Sequence, residues 1–235
     1  MKTLRNSIRI ITLALSTALT GCYVEDPGAI QNATQSFEVS DFNKLELGSG
    51  FDISVEQGPY FEVIARGDQR NLRDLDVRVV SGVLVVDYDH YATRKHQTYF
   101  TITMPSLRGV SFSGGSYSTV TGFEETQMDV NLSGGSFCKL TADVGELDLT
   151  LSGASSLQLS GNGELIDGNL SGASVLRAFD FPHQSSRVVA TGASNAKIWV
   201  SGSLIANASG GSVIIYRGNP TVDAYTSGGG SVFHE

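Results

Sequence analysis

The chain has 235 residues, of which 40% are apolar, 27 are glycine and 5 are proline. The glycines follow no Gly-X-Y period, which excludes a collagen-like triple helix, and the apolar fraction suffices for a packed core. The formal net charge is −8, which disfavours nucleic acid and anionic surfaces as partners.

The first 21 residues predict an export signal. Lys2, Arg5 and Arg9 give a positive start, and residues 10–19 form an apolar run that is too short for a bilayer core, which takes about 20 residues. The ending Leu-Thr-Gly-Cys22 resembles a bacterial lipobox, so Cys22 is expected to be lipidated and to begin the mature chain. Cleavage there removes three cations and no acids, which takes the net charge from −8 to −11.

Lipidation at Cys22 predicts a membrane as the first partner. Each buried CH₂ of an acyl chain contributes about 0.8 kcal/mol, so several acyl chains such as palmitate hold a protein stably. Tyr23 follows the cysteine where an Asp would favour the inner membrane, which indicates the outer membrane of a Gram-negative cell envelope. Residues 22–36 are polar and predict a tether.

The body, residues 37–235, predicts an all-β domain. No window sustains a helical period over three turns, although one helical turn fits residues 68–74. Its first part, residues 37–108, contains six short alternating segments bounded by glycines. These predicted strands are Lys44–Leu47, Phe51–Val55, Phe61–Ala65, Leu75–Val80, Val83–Tyr88 and Tyr99–Met104.

The second part, residues 109–235, repeats a Ser-Gly-Gly-Ser or Ser-Gly-Ala-Ser motif about every 19 residues. Equal spacing with two short strands per copy indicates a solenoid rather than a multi-sheet sandwich, which does not require it. The copies begin at Ser113, Ser133, Ser152, Ser171, Thr191, Ser209 and, imperfectly, Ser227.

This repeat predicts a right-handed parallel β-helix. Alternation points residues such as Leu157, Leu159 and Cys138 inward, so that equivalent positions stack into one core. The glycine of each motif suits a corner with positive φ or close backbone approach. The second serine of each copy is expected to stack as a hydroxyl ladder, and the polar last copy predicts a cap.

Two segments resemble the GIN domain, the head domain family of auto-transporter adhesins. The first is Leu47-Gly-Ser-Gly-Phe-Asp-Ile-Ser-Val-Glu-Gln-Gly58, and the second is Met104-Pro-Ser-Leu-Arg-Gly-Val-Ser-Phe-Ser-Gly-Gly-Ser116. The resemblance covers about residues 40–233. It implies a β-helical, envelope-associated protein of a family in which many members carry lipoprotein signals, and it carries over no catalytic residue.

Two polar rows are predicted on the outside of the solenoid. On successive coils, about 4.8 Å apart, lie the acidic column of Asp129, Asp148 and Asp167 and the amide row of Asn131, Thr150 and Asn169. Stacked carboxylates repel one another, so they either bind a hard cation or form a solvated edge that discourages aggregation. The calcium-binding nonapeptide of secreted toxins is absent, which disfavours the cation.

A cationic strip is predicted on another face, made of Lys139, Gln158, Arg177 and Lys197. It is either an ordinary solvated strand face or a surface for an acidic glycan. Trp199 lies outward nearby and suits stacking on a sugar or packing over a coil edge.

Candidate catalytic groups are few. Asp87 and Asp89 precede His90 and His96, which fits either a metal cluster or an exposed loop, and Cys138 lies on an inward row as a small core residue. No metal or other cofactor is expected. The sequence favours a non-catalytic binding module for a glycan or an envelope protein. The alternatives are a polysaccharide lyase or hydrolase and a scaffold that self-associates through the solenoid end.

The lipobox makes a prediction about the mature N-terminus. Mass spectrometry of the protein from its own host should find an acylated Cys22 as the first residue, because the charged start, short apolar run and Leu-Thr-Gly-Cys direct lipidation there. The Cys22→Ser variant should keep its signal and lose the acyl mass. An unmodified N-terminus at another position would contradict the assignment.

Overall fold

The computed structural model describes residues 28–92 and 94–235 as an all-β body. Its strands stack as a β-solenoid of about seven turns with about 19 residues per turn, which confirms the predicted fold class. The predicted signal and Cys22 lie outside the described residues. Among the described residues, no helix has the length and apolar character of a membrane span.

The predicted strands of the first part are confirmed to within a few residues. The single helical turn, α1 (Gln69–Leu72), lies where one was expected and begins after the N-cap residue Asp68. The strands here are β1 (Asn32–Phe37), β2 (Lys44–Leu47), β3 (Asp52–Gln57), β4 (Glu62–Asp68), β5 (Leu75–Val80), β6 (Val83–Tyr88) and β7 (Tyr99–Met104).

The repeat region supplies the remaining strands, which run through the coils in parallel. Long strands bend from one coil into the next, and short ones complete the two ends of the region. They are β8 (Gly109–Phe112), β9 (Tyr117–Leu132), β10 (Phe137–Leu151), β11 (Ser156–Leu170), β12 (Val175–Ala190), β13 (Asn195–Ser209), β14 (Val213–Arg217), β15 (Thr221–Ser227) and β16 (Ser231–His234).

The coils of the first part do not stack in chain order. Strand β2 lies between β6 and β8, and β3 lies between β7 and β9, with all four pairings parallel. The coil made of β6 and β7 therefore lies outside the earlier coil made of β2 and β3. Strands β5 and β4 then pair antiparallel with β6 and β7 and cover that end of the solenoid.

The tether predicted over residues 22–36 extends too far, because strand β1 begins at Asn32. Strand β1 pairs antiparallel with β4, and Ala33 and Phe37 pack against the core. The preceding backbone is held as well, since Gln31 N donates to Asp68 Oδ2 at 3.0 Å. Residues 32–36 thus belong to the folded body, held mainly by pairing with β4, and Ala33 is the apolar residue among them that packs against the core.

The core consists of inward rows that run along the solenoid axis. Alternation places one residue in two inside, and equivalent positions on successive coils are register partners. Cys138 is confirmed as one of these core residues, and burial raises the pKa of its thiol to about 12. Other fully buried rows are formed by Phe112, Leu132, Leu151, Leu170, Ala190 and Ala208, and by Val120, Leu140, Leu159, Ala178 and Ile198.

The glycine corners bring successive coils into close contact. The first glycine of each of the six regular motifs has a φ between 63° and 73°, a left-handed conformation that favours glycine. A Cβ on Gly172 would lie 2.5 Å from the carbonyl oxygen of Gly153 one coil away. The same approach lets Ala173 N donate to Gly153 O at 2.7 Å. Both reasons given for glycine at these corners are therefore confirmed.

The buried corner serines align as predicted, but they do not form a continuous hydroxyl ladder. One hydroxyl pair bonds directly, with Ser116 Oγ donating to Ser136 Oγ at 3.2 Å. The other hydroxyls donate to backbone carbonyls, as Ser174 does to Ser171 O at 2.6 Å. The serine hydroxyls bond to backbone carbonyls rather than to one another because the tight turn brings these carbonyls within reach of the short serine side chain.

The last coil is an open end rather than the predicted cap. Strand β15 pairs with β13, and β16 pairs with β14. Among the described residues, no further strand covers their outer edges, and Tyr225 and Phe233 are exposed there. The two ends of the solenoid therefore differ, since antiparallel strands cover only the first.

The inward rows predict a large difference in stability between two neighbouring positions. Leu157 is fully buried, so Leu157→Ala should lower the free energy of unfolding by roughly 2–5 kcal/mol. Gln158 faces outward on strand β11, so Gln158→Ala should lower it by about 0.5 kcal/mol or less. Denaturant unfolding of both variants measures this, and equal losses would contradict the assignment of inward and outward faces.

Candidate functional site

The cationic strip is formed in register across four consecutive coils. Lys139 pairs with Gln158, Gln158 with Arg177, and Arg177 with Lys197. Adjacent members are thus about 4.8 Å apart along the solenoid axis. Lys139 and Arg177 are exposed, and Arg177 Nη1 donates to Ser156 Oγ at 2.8 Å, which fixes its guanidinium over the neighbouring coil.

An aromatic row lies on the same sheet, two residues closer to the corner. Asp52 pairs with Tyr99 on one side and with Tyr117 on the other, and Tyr117 pairs with Phe137. The rings of Tyr117 and Phe137 stack with centroids 4.9 Å apart and planes 15° from parallel. Tyr99 is 49% exposed and Tyr117 is 52% exposed.

Asp52 lies between the two tyrosines of this row. It is half-buried, and its carboxylate makes no hydrogen bond or ion pair within the part of the chain that the structure describes. Tyr99 and Tyr117 lie two strands apart, roughly 10 Å along the axis. The row therefore presents an unpartnered acceptor between two half-exposed aromatic rings.

A second aromatic group lies at the far end of the strip. The guanidinium of Arg217 lies 4.0 Å from the ring centroid of Phe179, and Lys197 Nζ lies 5.7 Å from it. Trp199 pairs in register with Arg217 and is 42% exposed, as expected for an outward position. The cationic strip is thus flanked by aromatic side chains at both ends.

The acidic column lies on the strand that precedes the corner, and cations close it at both ends. Asp129, Asp148 and Asp167 are register partners on three adjacent strands. Lys44 Nζ is 2.7 Å from Asp129 Oδ2, reaching it across Gly109, which has no side chain. Arg187 Nη1 is 3.2 Å from Asp167 Oδ1. These two ion pairs relieve part of the repulsion within the column.

The amide row runs beside the acidic column. Asn131, Thr150 and Asn169 are register partners and all three are exposed. The row ends at the partly buried Val189 on the next coil. In the other direction Ser111 and Glu46 continue the line as register partners, so polar side chains extend beyond the three predicted residues on the same face as the carboxylates.

An irregular loop replaces the glycine corner in the coil made of β6 and β7. Residues 89–92 and 94–98, with the neighbouring corner around Gly50, line a cavity of about 930 Å³. Asp74 lies between His90 and Arg94, and the hydrogen bond from His90, followed by that from Arg94, lowers the pKa of Asp74. The same contact raises the pKa of His90.

Neither histidine of this loop joins a metal site. His96 Nε2 lies 3.2 Å from Gly28 O, and His90 contacts Asp74, while Asp87 accepts from Ser49 Oγ at 2.7 Å. Among the described residues, no three His, Cys, Asp or Glu side chains are placed to hold a metal ion. These groups instead tie the loop to its surroundings.

His183 is a buried titratable group that the sequence did not single out. Its Nδ1 lies 2.9 Å from Phe181 O, and its Nε2 is buried without a hydrogen-bond partner among the described residues. Burial lowers the pKa of His183. It lies within the solenoid interior, so it belongs to the core rather than to a surface site.

Sequence reasoning missed the aromatic row because its members come from three separate segments of the chain. Asp52, Tyr99 and Tyr117 follow no common spacing, and they meet only because the β6–β7 coil lies outside the β2–β3 coil. One signal in the sequence could have found two of them. The corner that ends at Phe51 resembles the corner that ends at Ser116, and the next residues, Asp52 and Tyr117, both face outward.

Similar solved structures share the fold. A "putative adhesin" from Bacteroides fragilis is 20% identical, covers 88% of this chain and 97% of its own, and has a TM-score of 0.81. A "putative adhesin" from Parabacteroides merdae is 18% identical, with 87% and 96% covered and a TM-score of 0.71. A "putative lipid binding protein" from Parabacteroides distasonis is 16% identical, with 87% and 96% covered and a TM-score of 0.70.

No curated protein matches the chain. A family model does, over residues 41–220, which is most of the body. Those residues include both segments that resemble the GIN domain and six of the repeated corners. The chain therefore belongs to the family described as "Putative auto-transporter adhesin, head GIN domain".

Proposed function

We propose that the protein is a non-catalytic, adhesin-like binding module of the cell envelope, anchored through a lipid on Cys22 to the outer membrane. The observation that carries the proposal is the register of the solenoid. It places polar, charged and aromatic side chains in straight outward rows over several coils. Such a face makes many weak contacts with an extended partner, and their contributions sum along its length.

Family membership and neighbouring structures support binding rather than catalysis. The family is described as a "putative auto-transporter adhesin" head, and two of the similar structures are each described as a "putative adhesin". A third is described as a "putative lipid binding protein", which is also a binding role. An envelope location agrees with the export signal and the lipobox of this chain, whose acyl group would place the body at the membrane surface.

The alternative is a polysaccharide-active enzyme that uses the acidic column. Hydrolysis by two carboxyl groups requires them to flank one bond in different roles, one as acid and one as base or nucleophile. Asp129 and Asp167 instead each form an ion pair with a cation, at 2.7 Å and 3.2 Å, and Asp148 lies between them on the middle strand. The geometry therefore favours a structural charge ladder over a catalytic pair.

Incubation with polysaccharides distinguishes the two functions. The full-length protein, purified in detergent, should retain at least one member of a panel of acidic and neutral polysaccharides, with or without calcium. It should release no new reducing ends and no unsaturated sugars. The triple variant Asp129→Asn, Asp148→Asn, Asp167→Asn should keep its fold, because it loses two exposed ion pairs and also like-charge repulsion.

Product release that this triple variant abolishes would overturn the binding-only function. It would assign a lyase or hydrolase activity to the acidic column. As a matched control, Asn131→Ala, Thr150→Ala, Asn169→Ala alters the adjacent amide row without changing any carboxylate.

A further inference from the structure

We infer that the aromatic row and the cationic strip form one continuous band that binds an acidic polysaccharide with one anionic group per disaccharide. This inference rests on the proposed binding function and names its ligand class and its surface. The band starts at Tyr99 and Tyr117, passes Phe137 and Lys139 on one strand, and continues through Arg177 to Lys197. It crosses seven strands of one sheet in the direction of the solenoid axis.

The aromatic half supplies the contacts that sugar rings require. The apolar face of a pyranose packs on an aromatic ring, and its hydroxyls need hydrogen-bond acceptors and donors in the same plane. Tyr99 and Tyr117 present half-exposed rings on either side of the unpartnered Asp52 carboxylate. A carboxylate accepts several hydroxyl groups at once, so Asp52 suits a sugar ring that packs against the tyrosines on either side of it.

The cationic half sets the spacing of the acidic groups. Lys139 and Arg177 are two coils apart, roughly 10 Å, which is comparable to the length of a disaccharide in an extended chain. Gln158 lies between them and offers a neutral donor and acceptor. From Lys139 to Arg177 the order is cation, amide, cation, which matches a chain in which acidic and neutral sugars alternate, and Lys197 adds a second cation beside Arg177 one coil further on. Arg177 keeps free N–H donors, since a guanidinium has five and one bonds Ser156.

The rest of the surface favours a glycan over an anionic membrane or a nucleic acid. The mature chain is expected to carry a net charge of −11, which disfavours densely charged partners more than a polymer with one charge per disaccharide. The strip is one side chain wide, and exposed carboxylates lie further along the same strands, with Asp180 three residues beyond Arg177 and Asp143 four residues beyond Lys139. A slender polymer fits on such a line, whereas a flat anionic surface would also meet the neighbouring acids.

The inference is tested by measuring how tightly the full-length protein binds three probes. The first is hyaluronan fragments, which carry one carboxylate per disaccharide, and the second is neutral cello-oligosaccharides of equal length. The third is vesicles of phosphatidylglycerol and phosphatidylcholine in equal parts. Hyaluronan should bind more tightly than the neutral probe. The strip variant Lys139→Gln, Arg177→Gln, Lys197→Gln should weaken hyaluronan binding about tenfold, as three ion pairs with the ligand at the protein surface are lost. It should also flatten the dependence of affinity on salt. The strip variant should leave vesicle binding, which the acyl anchor on Cys22 provides, unchanged.

Two matched variants separate the parts of the band. Lys44→Gln, Arg78→Gln, Arg187→Gln removes the same charge from exposed cations elsewhere and should leave hyaluronan affinity within about twofold, since more distant charges are screened. Tyr99→Ala with Tyr117→Ala should weaken hyaluronan and any residual cello-oligosaccharide binding alike, because ring stacking does not depend on the acidic group.

Three outcomes would overturn the inference. One is equal loss with both triple variants, since that would indicate general charge attraction. Another is preference for the neutral probe without any effect of the strip variant. The third is stronger binding to the vesicles than to hyaluronan, lost in the strip variant. None of these outcomes involves the release of sugar products, so none contradicts the proposed binding function. Cleavage of a polysaccharide is the result that would contradict that function.

Discussion

The close approach of glycine corners on successive coils is the constraint on which the rest of the structure depends. At the corner of Gly172, the hypothetical Cβ would lie 2.5 Å from Gly153 O, so no side chain fits there. With glycine present, Ala173 N donates to that same oxygen at 2.7 Å. Each corner therefore fixes the height and rotation of one coil relative to the next. Parallel pairing on both sides of the corner then extends the same register along the strands.

Fixed register turns a repeated sequence into straight rows of side chains. Inside, equivalent apolar side chains stack into the buried rows of the core, and a slip by one residue would turn every one of them outward. Outside, the same register aligns Lys139 with Arg177 and brings Asp129 next to Asp148. Binding on such a surface needs no pocket, because the spacing between coils already sets the spacing between contacts. The binding proposed for the outer faces thus depends on the register that the glycine corners fix.

The sequence was informative where the repeat is regular and much less so where it is not. Equal spacing of the motifs sufficed to predict the coils and to place Asp129, Asp148 and Asp167 on adjacent strands. No such spacing relates Asp52 to Tyr99, so their contact depends on a coil order that local patterns do not encode. Strand β1 was missed for a similar reason, since its polar residues gain their order from pairing with β4. The prediction of a cap at the last coil was wrong because polar residues in a sequence indicate that side chains are exposed, not whether a further strand pairs with the coil.

Two adjacent glycines in one corner test the stacking account most directly. Gly210 has a φ of 69°, and its Cβ would lie 2.8 Å from Gly192 O, whereas a Cβ on Gly211 would meet that oxygen at an ordinary 3.7 Å. Unfolding by denaturant should show that Gly210→Ala loses at least about 1–2 kcal/mol, the cost of a left-handed alanine. Gly211→Ala should be neutral or gain roughly 0.4–1 kcal/mol through lower entropy of the unfolded chain. Equal effects of the two substitutions would contradict the claim that close approach at the first glycine fixes the coils.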